Sequence, residues 1–312
     1  MSGTIDAQTI ATLRAGEAVD AVFACTRKQR LQTRSGDPYL ALELRDASGS
    51  MTARAFRDAD LLAGGFERGD LVRARGRTER FRGELQLALE RIERVELGER
   101  DAAQFLPVSR RDLEELEGFF EHLVREVYDP PLRALLETIL ADKDLRAELR
   151  RAPCSLPGAG GGALGGGSGA RSAGSSSAHH AFLGGLIEHT VAVATLAIEL
   201  CAVHPRLDRD LLLCAALVHD IGKTREYEYG AEISLSQEGR LLGHVELGLR
   251  VIAAHAPASL TGERRLALEH CVLAHHGDRS GAQRPASAEA LALQRLNALD
   301  AAVKGAFERG LY

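Results

Sequence analysis

The spacing of apolar residues changes once along this chain of 312 residues, and the change divides it into two parts. From about residue 17 to about residue 97, apolar and polar side chains alternate in short segments, which is the period of a half-buried strand. After about residue 109, the apolar residues recur at the spacing of amphipathic helices. A chain of this length can bury two cores. We therefore expect a multidomain α and β protein, with a β domain followed by an all-α domain.

Five strands are predicted in the first part, and turn sequences such as SGDP at 35–38 separate them. Their sequences are AVDAVFACTRKQRLQ, PYLALELRDASG, SMTARAFR, DLVRARGRTERFRG and ELQLALERIERVEL. A short segment, DADLLAGGFERG, interrupts the series between the third and fourth strands. Five strands with one such interruption fit a small Greek-key barrel of the OB type. We assign residues 1–100 to this barrel.

Basic side chains alternate along the predicted fourth strand. Arg73, Arg75 and Arg77 are each separated by one small or apolar residue, so a strand would carry all of them on one face. Lys28 and Arg30 add charge on the first strand. This face fits the phosphate backbone of a single nucleic-acid strand, or an ordinary solvated surface balanced by nearby glutamates. Because the formal net charge is −5, only such a local face would attract a polyanion.

Two segments separate the barrel from the rest. Residues 101–154 contain amphipathic helices that join the domains or begin the second one, and Ser109 is expected to cap the first of them. Residues 155–178 are a low-complexity run of Gly, Ser and Ala, which buries too little apolar surface to offset its ordering entropy. We expect a flexible insert there, followed by the all-α domain over residues 179–312.

The rest of the composition favours a cytoplasmic protein. The N-terminus lacks the features of a signal peptide, and no uninterrupted apolar stretch approaches the roughly 18 residues of a membrane span. The five cysteines are scattered, odd in number and form no CxxC pair, which is typical of reduced thiols. We expect no membrane partner, and a homo-oligomer is left open.

Histidine is concentrated in the second part. Of the 11 histidines, ten lie from His179 to His276, where an even distribution would put about a third of them. The predicted helix over 211–218 is almost wholly apolar and ends in His219 and Asp220. Two polar groups at the end of a buried helix need partners, because burial without a partner costs several kcal/mol. A divalent cation would satisfy both at once.

Other predicted helices carry similar residues. A single buried histidine is more often a hydrogen-bonded core residue than a ligand, but histidines on four helices with an aspartate on a fifth favour a metal centre. The candidate ligands are His189, His219, Asp220, His244, His275 and Asp300. They exceed the four ligands of a typical mononuclear site, so we predict two ions bridged by Asp220. Mn²⁺ is the first expectation, with Fe, Ni, Co, Zn or Mg as alternatives.

The motifs resemble those of a known superfamily. His189, the His219-Asp220 pair and Asp300 match the H…HD…D pattern of the HD-domain phosphohydrolases. The strings HHAFLGGLIEHT, LVHDIGK, SLSQEGRLLGH, LAHHG and ALDAAVK resemble one branch, the YhaM-type 3′–5′ exoribonucleases, in which an OB-fold precedes the HD domain. The Gly/Ser-rich stretch is the main departure. The resemblance implies metal-dependent 3′–5′ hydrolysis of single-stranded RNA, or of DNA, with the barrel binding the strand.

Catalytic roles are expected of three residues. Asp220 bridges the ions, and His276 holds a ligand or the substrate phosphate. Lys223, one turn beyond the His-Asp pair, would stabilise phosphate charge, although a solvated lysine at a helix end fits the sequence equally well. His179 and His180 would contact the substrate phosphate or lie in an unstructured polar linker.

Three alternative functions stay open. The second part would also suit a phosphohydrolase of small nucleotides, a nucleic-acid-binding module with an inactive metal site, or a purely structural metal site. The attached barrel argues against the first of these and the intact ligand set against the second. The number of mixed His and Asp candidates argues against the third.

Overall fold

The computed structural model describes residues 8–33, 35–96, 103–157, 179–230, 232–277, 284–308 and 310. The chain divides into two compact units. They comprise Met1–Pro107 with Tyr229–Ser234, and Val108–Glu228 with Leu235–Tyr312. Most of the Gly/Ser-rich insert predicted over 155–178 lies outside the described residues.

The first unit is a closed barrel of five strands in the order β1-β2-β3-β5-β4. Its elements are β1 (Ala18–Gln32), β2 (Pro38–Asp46), β3 (Gly49–Ala55), α1 (Ala59–Ala63), β4 (Leu71–Phe81) and β5 (Glu84–Arg94). The pairing of β3 with β5 is parallel, and the other pairings are antiparallel. The predicted OB-like barrel is confirmed, and the predicted interruption between the third and fourth strands corresponds to α1.

The barrel core depends on one close approach between two strands. Phe23, Leu40 and Leu87 are among the side chains that fill the interior. The ladder between β4 and β5 shifts register between Arg75 and Gly76, and a Cβ atom on Gly76 would overlap the carbonyl oxygen of Ala88. Glycine is therefore required at this position because the neighbouring backbone occupies the space of a side chain.

The second unit is helical. Its helices are α2 (Leu113–Arg125), α3 (Pro130–Ala141), α4 (Lys143–Arg151), α5 (Gly185–Val203), α6 (Arg209–Val218), α7 (Lys223–Glu226), α8 (Gln237–His255), α9 (Gly262–Ala274) and α10 (Ala288–Glu308). Between α7 and α8 along the chain is a short two-stranded sheet, β6 (Tyr227–Tyr229) and β7 (Ile233–Leu235), of which Tyr229–Ser234 belongs to the first unit. The sequence of residues 179–312 predicts helices only, because three-residue strands are too short to show a period. The helices of the segment 101–154 lie in this unit.

The first helix of this unit is capped by a different residue from the one expected. Asp112, not Ser109, accepts the backbone N–H groups of Glu114 and Glu115. The Ser109 hydroxyl instead donates to the buried carboxylate of Glu188 at 2.6 Å. The prediction that Ser109 caps this helix is wrong, because its hydroxyl is used in the long-range contact to α5.

Helices α5 and α6 form the centre of the helical core. Every residue of α6 from Leu211 to Val218 is buried, and α5 packs against α2, α6 and α10. Among the described residues, α5 is the one helix long and apolar enough to cross a membrane by length and composition. We interpret it as a core helix, because more than half of it is buried within the fold and it carries buried Glu188 and His189.

Replacement of Gly76 by Ala is expected to destabilise the barrel by about 1–3 kcal/mol, because the new methyl group overlaps the Ala88 carbonyl oxygen. Gly65→Ala is the matched control, since nothing lies within 4 Å of its Cβ position. Chemical denaturation followed by circular dichroism measures the difference. Equal midpoints for the two variants would contradict the packing assigned to Gly76.

Candidate functional site

The end of α6 delivers two buried polar residues to the centre of the helical unit. His219 and Asp220 follow Val218 directly and are 0% and 1% exposed. A Cβ atom on Gly222 would overlap the carbonyl oxygen of His244, so glycine lets the chain after α6 lie directly against α8. The HDIG segment therefore places two polar groups and the next helix in one small volume.

Four imidazoles point their Nε2 atoms at the carboxylate of Asp220. They come from α5, from the residue after α6, from α8 and from the residue after α9. Asp220 Oδ2 lies 3.6 Å from His189 Nε2 and 3.3 Å from His219 Nε2. Asp220 Oδ1 lies 3.6 Å from His244 Nε2 and 3.4 Å from His275 Nε2. Each carboxylate oxygen therefore faces one pair of histidines.

The protonation of these rings follows from the partners of their other nitrogens. His219 Nδ1 lies 2.9 Å from the carbonyl oxygen of Ala216, and His275 Nδ1 lies 2.6 Å from that of Val272. A carbonyl oxygen only accepts, so both Nδ1 atoms carry a proton and donate it. A neutral ring with a proton on Nδ1 has a lone pair on Nε2.

Carboxylates have the same effect on the other two rings. His189 Nδ1 donates to Asp300 Oδ2 at 2.6 Å, and His244 Nδ1 donates to Glu226 Oε1 at 3.0 Å. Burial lowers the pKa of His189 to about 4, so this ring is neutral at neutral pH. The same cause lowers the pKa of His275 to about 4.

This arrangement fits a bound cation. Lone pairs on Nε2 face carboxylate oxygens, and the Nε2 atoms of His189 and His219 face each other at 3.2 Å. Acceptors that face acceptors in a buried site are unfavourable unless a positive charge lies among them. Asp220 Oδ1 and His275 Nε2 are buried without a hydrogen-bond partner. The residues present therefore suit a divalent metal with imidazole and carboxylate ligands.

The candidate ligand atoms of the described residues form groups, and within each group all atoms lie within 4.8 Å of one another. One group contains His189, His219 and Asp220, and a second contains Asp220, His244, His275 and His276. The structure thus brings together five of the six expected ligands around Asp220, with His276 in addition. Asp220 belongs to both groups, which is the position of a bridge.

Asp300 lies on the far side of His189. Its Oδ2 atom accepts from His189 Nδ1 and from His180 Nε2, the latter at 3.0 Å, and it is outside the group formed by His189, His219 and Asp220. The two histidines hold the pKa of Asp300 below its ordinary value, overcoming the opposite effect of burial. Direct ligation by Asp300, which the motif implies, stays a prediction.

His179 and His180 are buried, so they do not lie in a polar linker. His180 bonds Asp300, and His179 Nε2 lies 3.7 Å from the thiol of Cys154. Both therefore contact side chains of the metal centre. Contact of either ring with a substrate phosphate stays a prediction.

Lys223 brings a buried positive charge to this cluster of residues. It is 5% exposed, and its Nζ atom lies 2.7 Å from Asp220 Oδ2 and 3.4 Å from Cys154 Sγ. Burial lowers the pKa of Lys223, but the charge and hydrogen bond of Asp220, with smaller contributions from Cys154 and Tyr227, together raise it above its ordinary value, so the ammonium group stays charged. Burial raises the pKa of Asp220, but the charges of Lys223 and His219 and the hydrogen bonds of His219 and His275 together lower it by more, so that pKa is well below its ordinary value. The interpretation of Lys223 as a solvated helix-end residue is wrong.

On the barrel, the predicted nucleic-acid-binding residues are already paired. Arg73 Nε lies 2.6 Å from Asp20 Oδ1, and Arg75 Nε lies 3.0 Å from Asp20 Oδ2. Arg77 donates to the carbonyl oxygen of Gly16 at 2.6 Å. Lys28 contacts Glu67 and the carbonyl oxygen of Phe66, and Arg30 contacts Asp60. The arginines of β4 do share the outer face, but Asp20 offsets part of their charge.

A different barrel surface combines aromatic rings with arginines. Tyr39 on β2 stacks on Phe56 after β3, with ring centroids 5.2 Å apart, and Phe56 is 56% exposed. The guanidinium groups of Arg54 and Arg82 lie 5.2 and 5.4 Å from the ring centroid of Phe81. We call these five residues the aromatic–arginine surface. The spacing of these residues along the chain does not predict their proximity, which depends on how the strands pair.

Comparison with known proteins agrees with this division. Residues 186–302 match the HD domain family, and residues 24–95 match a family of OB-fold nucleic acid binding domains. An OB-fold thus precedes an HD domain in this chain. The HD domain implies divalent metal binding at the His/Asp cluster.

Curated proteins named 3′–5′ exoribonuclease YhaM are similar to the chain across both domains. That of Oceanobacillus iheyensis is 28% identical and covers 84% of this chain and 76% of its own length. That of Halalkalibacterium halodurans is 26% identical and covers 92% of this chain and 84% of its own length. That of Bacillus subtilis is 26% identical and covers 84% of this chain and 77% of its own length. The resemblance to the YhaM-type family is confirmed.

Three residues of the HD domain site were missed from the sequence. Cys154 lies 3.8 Å from Asp220 Oδ2, and burial raises the pKa of its thiol to about 12, so it is protonated. Glu226 bonds His244, and Glu188 accepts from Ser109 and Lys304. None of them stands at a spacing that marks a ligand. Cys154 and Glu226 reach the centre only through the packing of separate segments, whereas Glu188 is next to His189 on α5.

The metal-free protein is expected to lose stability as the pH falls from about 6.5 to about 4. His189 and His275 titrate near 4 when folded and near 6.5 when unfolded, so the unfolded chain binds more protons in that interval. Unfolding free energies measured against pH in the presence of a chelator test this. His275→Asn should reduce the slope, whereas His122→Asn, at an exposed position on α2, should leave it unchanged. Equal slopes for both variants would contradict the assignment.

Proposed function

We propose that this chain is a metal-dependent 3′–5′ exoribonuclease, in which the HD domain hydrolyses phosphodiester bonds of a single RNA strand held by the OB-fold domain. The observation that carries the proposal is the convergence of four imidazole lone pairs on both oxygens of Asp220. The relatives named 3′–5′ exoribonuclease YhaM support the reaction and the substrate.

Two divalent ions, with Mn²⁺ as the first candidate, are proposed to bind on the two sides of Asp220. His189 and His219 would hold one ion, and His244, His275 and His276 the other, with Asp220 shared. Bound ions would supply an activated water, a clamp on the phosphate and neutralisation of charge at the leaving oxygen.

The chain's own residues set the electrostatics of this site. Lys223 is proposed to balance the negative charge of Asp220 and to lie close to the phosphate, since it is buried at 2.7 Å from Asp220. His276 is half-buried, and burial lowers its pKa to about 2, so a neutral ring faces the site. We propose His276 for contact with the substrate or an ion. His180 is proposed to act through Asp300 on His189.

Strand binding is proposed to use the aromatic–arginine surface together with the arginines of β4. Exposed Phe56 and Phe81 offer faces on which bases can stack, and Arg54 and Arg82 place positive charge beside Phe81. Arg73 and Arg75 contribute less than two free charges because both lie beside Asp20. We also propose a cytoplasmic location, which the five buried free cysteines support.

Replacement of Asp220 by Ala is expected to abolish hydrolysis, because it removes the carboxylate shared by both ion positions. The test incubates the wild-type chain and the variant with labelled single-stranded RNA, single-stranded DNA and a panel of mononucleotides, with and without Mn²⁺. Progressive shortening from the 3′ end of RNA by the wild type alone is the expected result. Turnover of mononucleotides only, or full activity of the variant, would refute the proposal.

Replacement of Phe56 and Phe81 by Ala is expected to weaken RNA binding by about 1–3 kcal/mol for each stacked base lost. The triple variant of Arg73, Arg75 and Arg77 to Ala should weaken binding less and lower its salt dependence. Fluorescence anisotropy with a labelled oligonucleotide at several salt concentrations measures both. Leu61→Ala, which removes an exposed side chain of α1, serves as the control. Unchanged affinity in both variants would exclude a binding role for these surfaces.

A further inference from the structure

The helix that carries His244 is interrupted immediately before that residue. Gly243 adopts φ 72° and ψ 161°, which lies outside the helical range, so α8 restarts at His244. The backbone N–H of His244 therefore loses the acceptor that a continuous helix would provide. A partly buried N–H group in this position needs another partner.

Glu226 supplies that partner and holds the ring as well. Its Oε1 atom accepts the backbone N–H of His244 at 3.1 Å and the Nδ1–H of the same residue at 3.0 Å. Glu226 is 7% exposed and ends α7, three residues after Lys223. One carboxylate oxygen thus fixes both the backbone and the imidazole of His244.

The backbone of Glu226 is itself held in place. Its carbonyl oxygen accepts the N–H of Ser236 at 2.9 Å, and a Cβ atom on Gly239 would overlap that oxygen. Glu226 is therefore anchored to the start of the same helix whose second segment it caps. These contacts fix the backbone from which the Glu226 carboxylate reaches His244.

We infer that Glu226 is a positioning residue for one of the two ion positions, where it presents the Nε2 lone pair of His244 to the side of Asp220 Oδ1. The inference rests on the proposed function, since it assumes that an ion binds there. It also explains a symmetry of the site. On each side of Asp220, a carboxylate accepts the Nδ1 proton of one histidine: Asp300 accepts from His189, and Glu226 accepts from His244. The remaining two rings are held by backbone carbonyls.

Three substitutions separate the features of this contact. Glu226→Ala removes the acceptor and should weaken one ion position by about 10–100-fold while the other keeps its affinity. Glu226→Gln keeps an acceptor oxygen at the same reach and should restore most of the affinity. Glu226→Asp keeps the charge but shortens the side chain, so it should resemble Glu226→Ala. Glu246→Ala is the matched control, because it removes an exposed glutamate from α8, the helix that carries His244.

The experiment titrates Mn²⁺ into the chelator-treated full chain and follows binding by calorimetry and by electron paramagnetic resonance. Circular dichroism of each metal-free variant verifies its fold. A wild-type chain that binds no ion would refute the proposed function. A wild-type chain that binds two ions, together with a Glu226→Ala variant that binds both equally well, would refute only this inference.

A double-mutant cycle with His244 tests whether Glu226 acts through that ring. His244→Ala should weaken the same ion position, and adding Glu226→Ala should cause no further loss. Additive losses, or a Glu226→Asp variant that binds better than Glu226→Gln, would overturn the assignment. In either case the charge of Glu226, and not its hydrogen bonds to His244, would be the property that matters.

Discussion

The buried carboxylate of Asp220 is the group around which the helical unit is arranged. Residues on α5 and α8 and the residues that follow α6 and α9 each place one imidazole Nε2 within 3.3 to 3.6 Å of one of its oxygens. A buried anion surrounded by lone pairs is unfavourable in isolation. Lys223 offsets part of that charge, and a divalent ion on each side would offset the rest. The wholly apolar face of α6 then holds the pair His219-Asp220 at the centre of the core.

The residues behind the imidazoles matter as much as the imidazoles themselves. Two backbone carbonyls and two carboxylates hold the Nδ1 protons, so each neutral ring keeps its lone pair on Nε2, the atom that a metal would bind. Close approach of backbones at Gly222 keeps α8 against the HDIG segment. Ligand geometry in this site is therefore a property of helix packing, and small residues between the helices are part of it.

On the barrel, the sequence pattern of charges predicts which face carries them but not which residues pair with them. Alternation correctly placed Arg73, Arg75 and Arg77 on one outer face, because the period of a strand is local. It did not show that Asp20, on β1, lies against two of them. The stacked pair Tyr39–Phe56 also depends on strand pairing, because the pairing of β2 with β3 brings together two residues that are far apart in the sequence.

Sequence by itself determined the OB-like barrel with its five strands and the helical domain after it, and it predicted five residues that the structure brings together at Asp220, because apolar period and the grouping of histidines are local properties. It also determined that Asp220 follows a buried helix. Only the tertiary structure decided that Asp300 lies behind His189, that Lys223 is buried, and that Cys154 and Glu226 belong to the centre. These contacts depend on how helices pack and on one interruption at Gly243, and neither leaves a period in the sequence.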